Sequence, residues 1–140
     1  MTILPNVELY CDGACLGNPG PGGWAYLLRY RTPEGGLRER EAWGSEAQTT
    51  NNRMELESVL QGLRALRRTC EVQIHCDSQY VIKGLQSWMA DWKRRGWRRA
   101  DGRPVLNEDL WKALDQQLAR HRITAHWVKG HAGHPENERV

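Results

Sequence analysis

A chain of 140 residues with 39% hydrophobic and 26% charged side chains suits one packed domain rather than two, and its apolar content excludes a disordered chain. Its longest uninterrupted apolar run, Trp24 to Leu28, is far too short to cross a bilayer, and Met1 to Tyr10 lacks the basic start and apolar stretch of a secretory signal. The net charge of +3 decides nothing as a total, but Lys83 to Arg103 holds seven basic residues against Asp91 and Asp101, leaving +5 there and −2 elsewhere.

In chain order, Val7 to Cys11 alternates apolar and polar residues, as a half-buried strand does, and runs into Asp12. Gly17 to Gly23 is rich enough in glycine and proline to predict a loop. Trp24 to Arg31 and Leu37 to Gly44 predict two more strands around a turn at Pro33-Glu34-Gly35-Gly36, completing an antiparallel meander. Thr50-Asn51-Asn52 supplies helix-capping residues, and Leu56, Val59, Leu60, Leu63 and Leu66 then mark an apolar helical face to about Arg68. Val72, Ile74 and Cys76 alternate again and deliver the chain to Asp77.

Ser78 is placed to cap a helix through Leu85, a second helix is expected over Ser87 to Arg95 with a break at Gly96, and a third from about Asn107 to Arg120. Ile123 to Val128 predicts the last strand, followed by a loop over Lys129 to His134 and a helix beginning at Pro135. Three strands, then a helix–strand–helices–strand order, imply one α/β domain over residues 1–140, a mixed sheet with helices packed on it.

Asp12 and Asp77 both follow strands, and Glu55 lies near a helix start that can pack across the same sheet edge. Three carboxylates at one edge repel unless a cation neutralises them, and hard oxygen ligands favour Mg²⁺ or Mn²⁺. Two such ions ~3.5–4 Å apart suit phosphodiester chemistry. Each acidic residue alone also reads as a turn former or helix cap. The four cysteines, Cys11, Cys15, Cys70 and Cys76, show no CxxC spacing, so zinc is not expected and reduced thiols in a cytoplasmic protein are. Cys11 and Cys76 precede the two aspartates, so strand alternation is expected to point them away from the carboxylates as packing residues. Trp24, Trp43, Trp111 and Trp127 are assigned to the core or its margin.

The segments Tyr10 to Gly23, Thr49 to Leu56, Asp77 to Tyr80 and Val128 to Arg139, in that order and at those intervals, together with the Trp/Arg-rich stretch, resemble bacterial type I ribonuclease H over essentially the whole chain. The resemblance implies a ribonuclease H-like mixed five-stranded sheet, an antiparallel meander plus parallel strands, with helices on both faces. It implies hydrolysis of the RNA strand of an RNA–DNA hybrid to 3′-hydroxyl and 5′-phosphate ends, with two Mg²⁺ ions bound alongside substrate and Mn²⁺ as a substitute. Asp12 resembles the carboxylate shared by both metals. Glu55 and Asp77 resemble ligands of the metal on the leaving-group side, with Glu55 also meeting a ribose hydroxyl. His131 resembles a mobile-loop histidine that assists proton transfer or product release, against the plain reading of a solvated loop residue.

For the substrate, Asn18, Asn51 and Gln79 are similar to residues that meet the minor groove, whose 2′-hydroxyls distinguish RNA from DNA. Asn52 reads either as a groove contact or as a helix cap, and Cys15 either as a groove contact or as a structural thiol. Thr50, Arg53 and Asn107 resemble a grip on a DNA phosphate, which sets register without reading bases. Trp88 reads as a deoxyribose contact or as packing, and Lys93, Arg94 and Arg95 belong to a segment resembling the family's basic handle, which attracts the hybrid in a salt-dependent way.

The family's fourth carboxylate aligns immediately after Val140, so its C-terminal helix is expected to be truncated here and turnover reduced. A monomer acting in the cytoplasm, with no membrane association, is expected. The competing functions are a non-catalytic hybrid-binding module and an integrase-like strand transferase; intact Asp12, Glu55, Asp77 and His131 speak against the first, and the Asn51 to Glu55 segment with the handle against the second.

Overall fold

The structure, a computed structural model, describes residues 4–129. Its sheet is built from β1 (Asn6–Cys15), β2 (Gly20–Arg31), β3 (Leu37–Thr49), β4 (Glu71–Cys76) and β5 (Arg122–Trp127), in the order β3-β2-β1-β4-β5. The first three strands form the antiparallel meander, while β4 and β5 run parallel to β1. The helices are α1 (Asn51–Arg64), α2 (Gln79–Lys83), α3 (Met89–Arg94) and α4 (Glu108–Arg120), with α2 and α3 joined by a π-helical turn over Gly84–Trp88. The mixed five-stranded α/β sheet is therefore as expected. The helix expected from Pro135 lies outside the described residues.

Alternation along the strands assigns the two faces. Val7, Leu9 and Cys11 of β1 and Val72, Ile74 and Cys76 of β4 are buried and join Leu56, Val59, Leu60 and Leu63 of α1 in one apolar core. The opposite face carries Glu8, Tyr10 and His75, with the Tyr10 and His75 rings stacked at 4.8 Å and His75 on His126 at 5.1 Å. Thr50 caps α1, its hydroxyl accepting from the Arg53 N–H. That helix ends at Arg64, short of the expected Arg68, where the chain turns towards β4.

Three further expectations are corrected. Gly20 to Gly23 belongs to β2, not to a loop, because pairing with both β1 and β3 outweighs a breaker-rich composition. The same pairing carries β3 to Thr49, past the expected end at Gly44. The two helices expected on either side of residue 86 form one helical path, because the π turn inserts there without a break.

That π turn has a packing partner. A Cβ on Gly84 would lie 2.1 Å from the Trp111 ring, so only glycine lets the fully buried indole of α4 rest on the turn's backbone. The Trp111 Nε1 donates to the Tyr80 hydroxyl at 3.0 Å, tying α4 to α2. Gly84→Ala is expected to destabilise the protein by about 1–3 kcal/mol through overpacking, measured by urea unfolding.

His121 caps the other end of the core. Its buried Nδ1 accepts from the Cys70 N–H at 3.0 Å, and burial followed by the charge of Arg120 holds the imidazole below its usual pKa. The unfolded chain then binds more protons than the native one below about pH 6.5. Stability contributed by neutral His121 is complete above that pH and lost as pH falls through the window beneath it. Urea titrations at pH 7 and pH 5 should show this loss, and His121→Asn, which keeps an acceptor, should reduce the pH difference.

Candidate active site

The site lies where two ladders part. The β1–β4 ladder ends at Tyr10 paired with His75, whereas the β1–β2 ladder continues to Cys15 paired with Gly22. Asp12 stands just beyond the last β1–β4 pair and Asp77 just beyond the end of β4. The first turns of α1 bring Asn51, Asn52 and Glu55 to this opening, and Asp12, Gly13, Ala14, Asn51, Asn52, Glu55, Asp77 and Ser78 line a cleft of about 430 Å³.

Gly13 makes this meeting close. A Cβ there would lie 2.3 Å from the Met54 carbonyl carbon and 2.5 Å from the Glu55 nitrogen. Without it, the Gly13 N–H reaches Glu55 Oε1 at 3.2 Å and Asp12 Oδ1 at 3.0 Å. The other Glu55 oxygen accepts from the Cys76 thiol at 3.6 Å. Cys76 is a buried packing residue as expected, yet the side to which it alternates is the one that carries Glu55. It faces the α1 side of the sheet, which is where Glu55 arrives. The Cys11 thiol, one residue past the last β1–β4 pair, lies beside it and donates to the His75 carbonyl at 3.5 Å.

Glu55 is buried, 8% exposed, and its pKa is pushed up to about 10 by burial first, then by Cys76, Asp12 and Asp77; the Gly13 N–H opposes the rise. Such a group is protonated at neutral pH unless a cation joins it. Glu55, Cys76 and Asp77 present ligand atoms within 4.8 Å of one another. The oxygen donors of Asp12, Glu55 and Asp77 fit a hard divalent cation. The Trp127 indole donates to the Asp77 carbonyl at 3.1 Å and holds the end of β4 in place.

The expected groove residues divide into those fixed by the fold and those left open. Asn18 Oδ1 accepts from the Asn51 N–H at 3.1 Å, tying the loop after β1 to the start of α1. Asn52 and Gln79 are exposed, and Thr50, not Asn52, is the helix cap. The Cys15 thiol lies within hydrogen-bonding distance of three carbonyls, 2.8 Å from Gly17, 3.3 Å from Gly20 and 3.4 Å from Thr49.

Thr50, Arg53 and Asn107 do come together. The Arg53 guanidinium donates to Asn107 Oδ1 at 3.3 Å, and Asn107 donates to the Tyr80 hydroxyl at 3.1 Å. Asn107 stands in a left-handed conformation at the start of α4, with φ of 59°. Asp109, which the sequence does not single out, takes a two-pronged contact from Arg53 at 3.0 and 2.7 Å, lowering its own pKa and raising that of Arg53.

The basic segment stands apart from the carboxylates. Trp88 is half-buried, edge-on to Tyr80 at 5.9 Å and tilted on Trp92 at 6.0 Å, while Trp92 and Trp97 pack against the core. Lys93 pairs with Asp115 at 3.0 Å, Arg94 with Asp91, and Arg95 is exposed. Trp43 is corrected from the core or its margin to the surface, 77% exposed, because Ala42 takes the core side of the edge strand. It shares a cross-strand row with Ala25 and Asp12 and lines a groove with them. His131 lies outside the described residues.

Gly13, Cys76, Trp127 and Asp109 join the site although sequence reasoning does not single them out for it. Gly13 and Cys76 carry a signal in their position beside an aspartate; Trp127 and Asp109 are brought in by β5 and α4 from far along the chain.

The RNase H family's sequence pattern matches residues 5–140. Ribonuclease H of Bordetella pertussis (strain Tohama I) is 59% identical over 134 residues, covering 96% of this chain and 83% of that protein. Ribonuclease H of Pseudomonas putida (strain W619) is 58% identical over 135 residues, covering 96% and 88%. The crystal structure of LC9-RNase H1, a type 1 RNase H with the type 2 active-site motif, superposes with a TM-score of 0.89 at 39% identity, over 99% of this chain and 70% of that one. Near-complete coverage at this identity, on a sheet whose parting strands hold the carboxylates, places the chain in the ribonuclease H family of nucleases.

Proposed function

We propose that this chain, as a single catalytic domain, hydrolyses the RNA strand of RNA–DNA hybrids, leaving 3′-hydroxyl and 5′-phosphate ends, with two Mg²⁺ ions and with Mn²⁺ able to replace them. The observation that carries the reading is the meeting of Asp12, Glu55 and Asp77 in one open cleft, with Glu55 raised so far that a cation is its natural partner. Bound divalent ions would supply charge neutralisation at the scissile phosphate and a more acidic water. Among the protein's own groups, Asp12 takes the shared ligand position, and Glu55 and Asp77 hold the leaving-group side. The Gly13 N–H and Cys76 thiol orient the Glu55 carboxylate, and His131 is assigned to proton transfer or product release.

On the substrate side, Asn18, Asn51, Asn52 and Gln79 meet the minor groove and its 2′-hydroxyls. Thr50, Arg53 and Asn107 hold a DNA phosphate, which requires Arg53 to share or leave Asp109. Trp88 borders the DNA sugar, and Lys93, Arg94 and Arg95 add attraction at long range. The chain is further proposed to act as a monomer in the cytoplasm; among the described residues no helix is long and apolar enough to cross a membrane.

End-labelled hybrid, duplex RNA and duplex DNA, incubated with Mg²⁺, Mn²⁺ or chelator, test the reading. Cleavage confined to the RNA of the hybrid and abolished by chelator is expected; retarded but uncut hybrid, or nicked DNA, would overturn it. Asp77→Asn and Glu55→Gln should each lower cleavage by about a hundredfold or more while hybrid binding persists. In chelator, Glu55→Gln should melt above the wild type. Its native carboxyl binds a proton that the unfolded one releases above about pH 4.5, so the wild type loses stability as pH rises and the gap should widen from pH 5 to pH 8. Arg53→Ala should weaken hybrid binding and lower the slope of log affinity against log salt by about one, read from filter binding at several salt concentrations.

A further inference from the structure

A groove leaves the carboxylate cleft towards β3. Asp12, Gly13 and Ala14 line both, and the groove, about 280 Å³, crosses Gly23 and Ala25 of β2 to reach Trp43. Strand pairing sets Asp12, Ala25 and Trp43 in one cross-strand row, so the indole stands two strand spacings, roughly 10 Å, from the aspartate. The middle position of that row is an alanine, which leaves the space between the two open. Trp43 is 77% exposed. Trp24 differs, since its ring rests on the Gly44 backbone and stacks on Tyr26 at 6.3 Å. Among the described residues the groove's lining holds no basic side chain and one acid, which makes it no seat for a phosphate. A flat, uncharged ring fits it.

We propose that this groove takes an unpaired nucleotide of the RNA strand beside the cut, where that strand leaves the hybrid, with its base stacked on Trp43. The assignment rests on the reaction proposed above, in which Asp12 stands at the scissile phosphate. A strand whose phosphate lies at Asp12 reaches Trp43 within a few nucleotides. Bases inside a duplex are covered on both faces by their neighbours, so only an unpaired base offers a face to the indole. Stacking of this kind is tolerant of sequence, because every base has a π-face. The DNA strand is directed elsewhere, to Arg53 and Asn107 at the starts of α1 and α4. The consequence is a preference for hybrids whose RNA runs on as a single strand over hybrids with blunt ends. Spacing along the chain hides this subsite, because Trp43 comes to Asp12 only through the pairing of both strands with β2.

The test measures binding of the full chain to hybrids in chelator, where no turnover occurs, by filter binding. One hybrid is compared in four forms: blunt, with an unpaired RNA tail at its 5′ end, with such a tail at its 3′ end, and with an unpaired DNA tail. The wild type should bind one of the RNA-tailed forms roughly tenfold more tightly than the blunt form, a gain lost in Trp43→Ala and kept in part in Trp43→Phe. In Mg²⁺ the same tail should lower KM by a similar factor and leave kcat unchanged. No gain from either RNA tail, or a gain that survives in Trp43→Ala, would overturn the proposal. A gain from the DNA tail that Trp43→Ala removes would put the other strand in the groove and overturn it as well. A Trp43-dependent RNA-tail gain with no hybrid cleaved in Mg²⁺ would instead fail the proposed reaction and leave the groove standing. Cleavage of hybrids without any tail gain would fail the groove alone.

Discussion

The backbone of β1 at Gly13 lies against the backbone of α1 at Met54 and Glu55, so near that one added methyl would sit 2.3 Å from a carbonyl carbon. This approach does two things at once. It closes the core over Leu9, Leu56 and Leu60, and it delivers the Glu55 carboxylate to a strand edge that already carries Asp12 and Asp77. The Gly13 N–H then spans both acids, donating to each. A side chain at residue 13 would open the core and separate the carboxylates together, so fold and site share a single constraint.

The cost of that arrangement is electrostatic. Glu55 is taken out of water and set beside two other acids and a thiol, and it holds its proton far above the usual carboxylate range. The rest of the structure supports the arrangement without relieving it. Trp127 holds the end of β4 from the neighbouring strand, and Thr50 and Asn18 secure the helix start that carries Glu55. Farther out, Tyr80 accepts from both Asn107 and Trp111, so the helical path bearing the basic residues is tied to the helix that supplies Asp109 to Arg53. Carboxylate cleft and phosphate grip therefore sit on one connected frame.

Most of the architecture was legible because its signals are local. Alternation at Val7 to Cys11 and Val72 to Cys76 marked strands, and the leucine spacing after Thr50 marked α1 and its cap. The failures share another cause. Gly20 to Gly23 is strand because two neighbours pair with it, which no local composition reports. Trp43 is on the surface because Ala42 was selected for the core side, and nothing in an indole says which face of an edge strand it takes. The Ser78 to Arg95 stretch is one path because Trp111, far along the chain, packs on Gly84.

By itself the sequence determined the identity and order of the acids, the strands that present them, the helix that carries Glu55 and the concentration of basic charge after residue 83. Those are one-dimensional properties, set by residue type and period. The tertiary structure alone decided that Cys76 turns to Glu55, that Cys11 lies beside Cys76, that Asp109 occupies Arg53 and that Glu55 cannot easily ionise. Each of these depends on the separation and burial of groups brought together by strand pairing and helix packing, and a pKa or a ligand set exists only once those distances do.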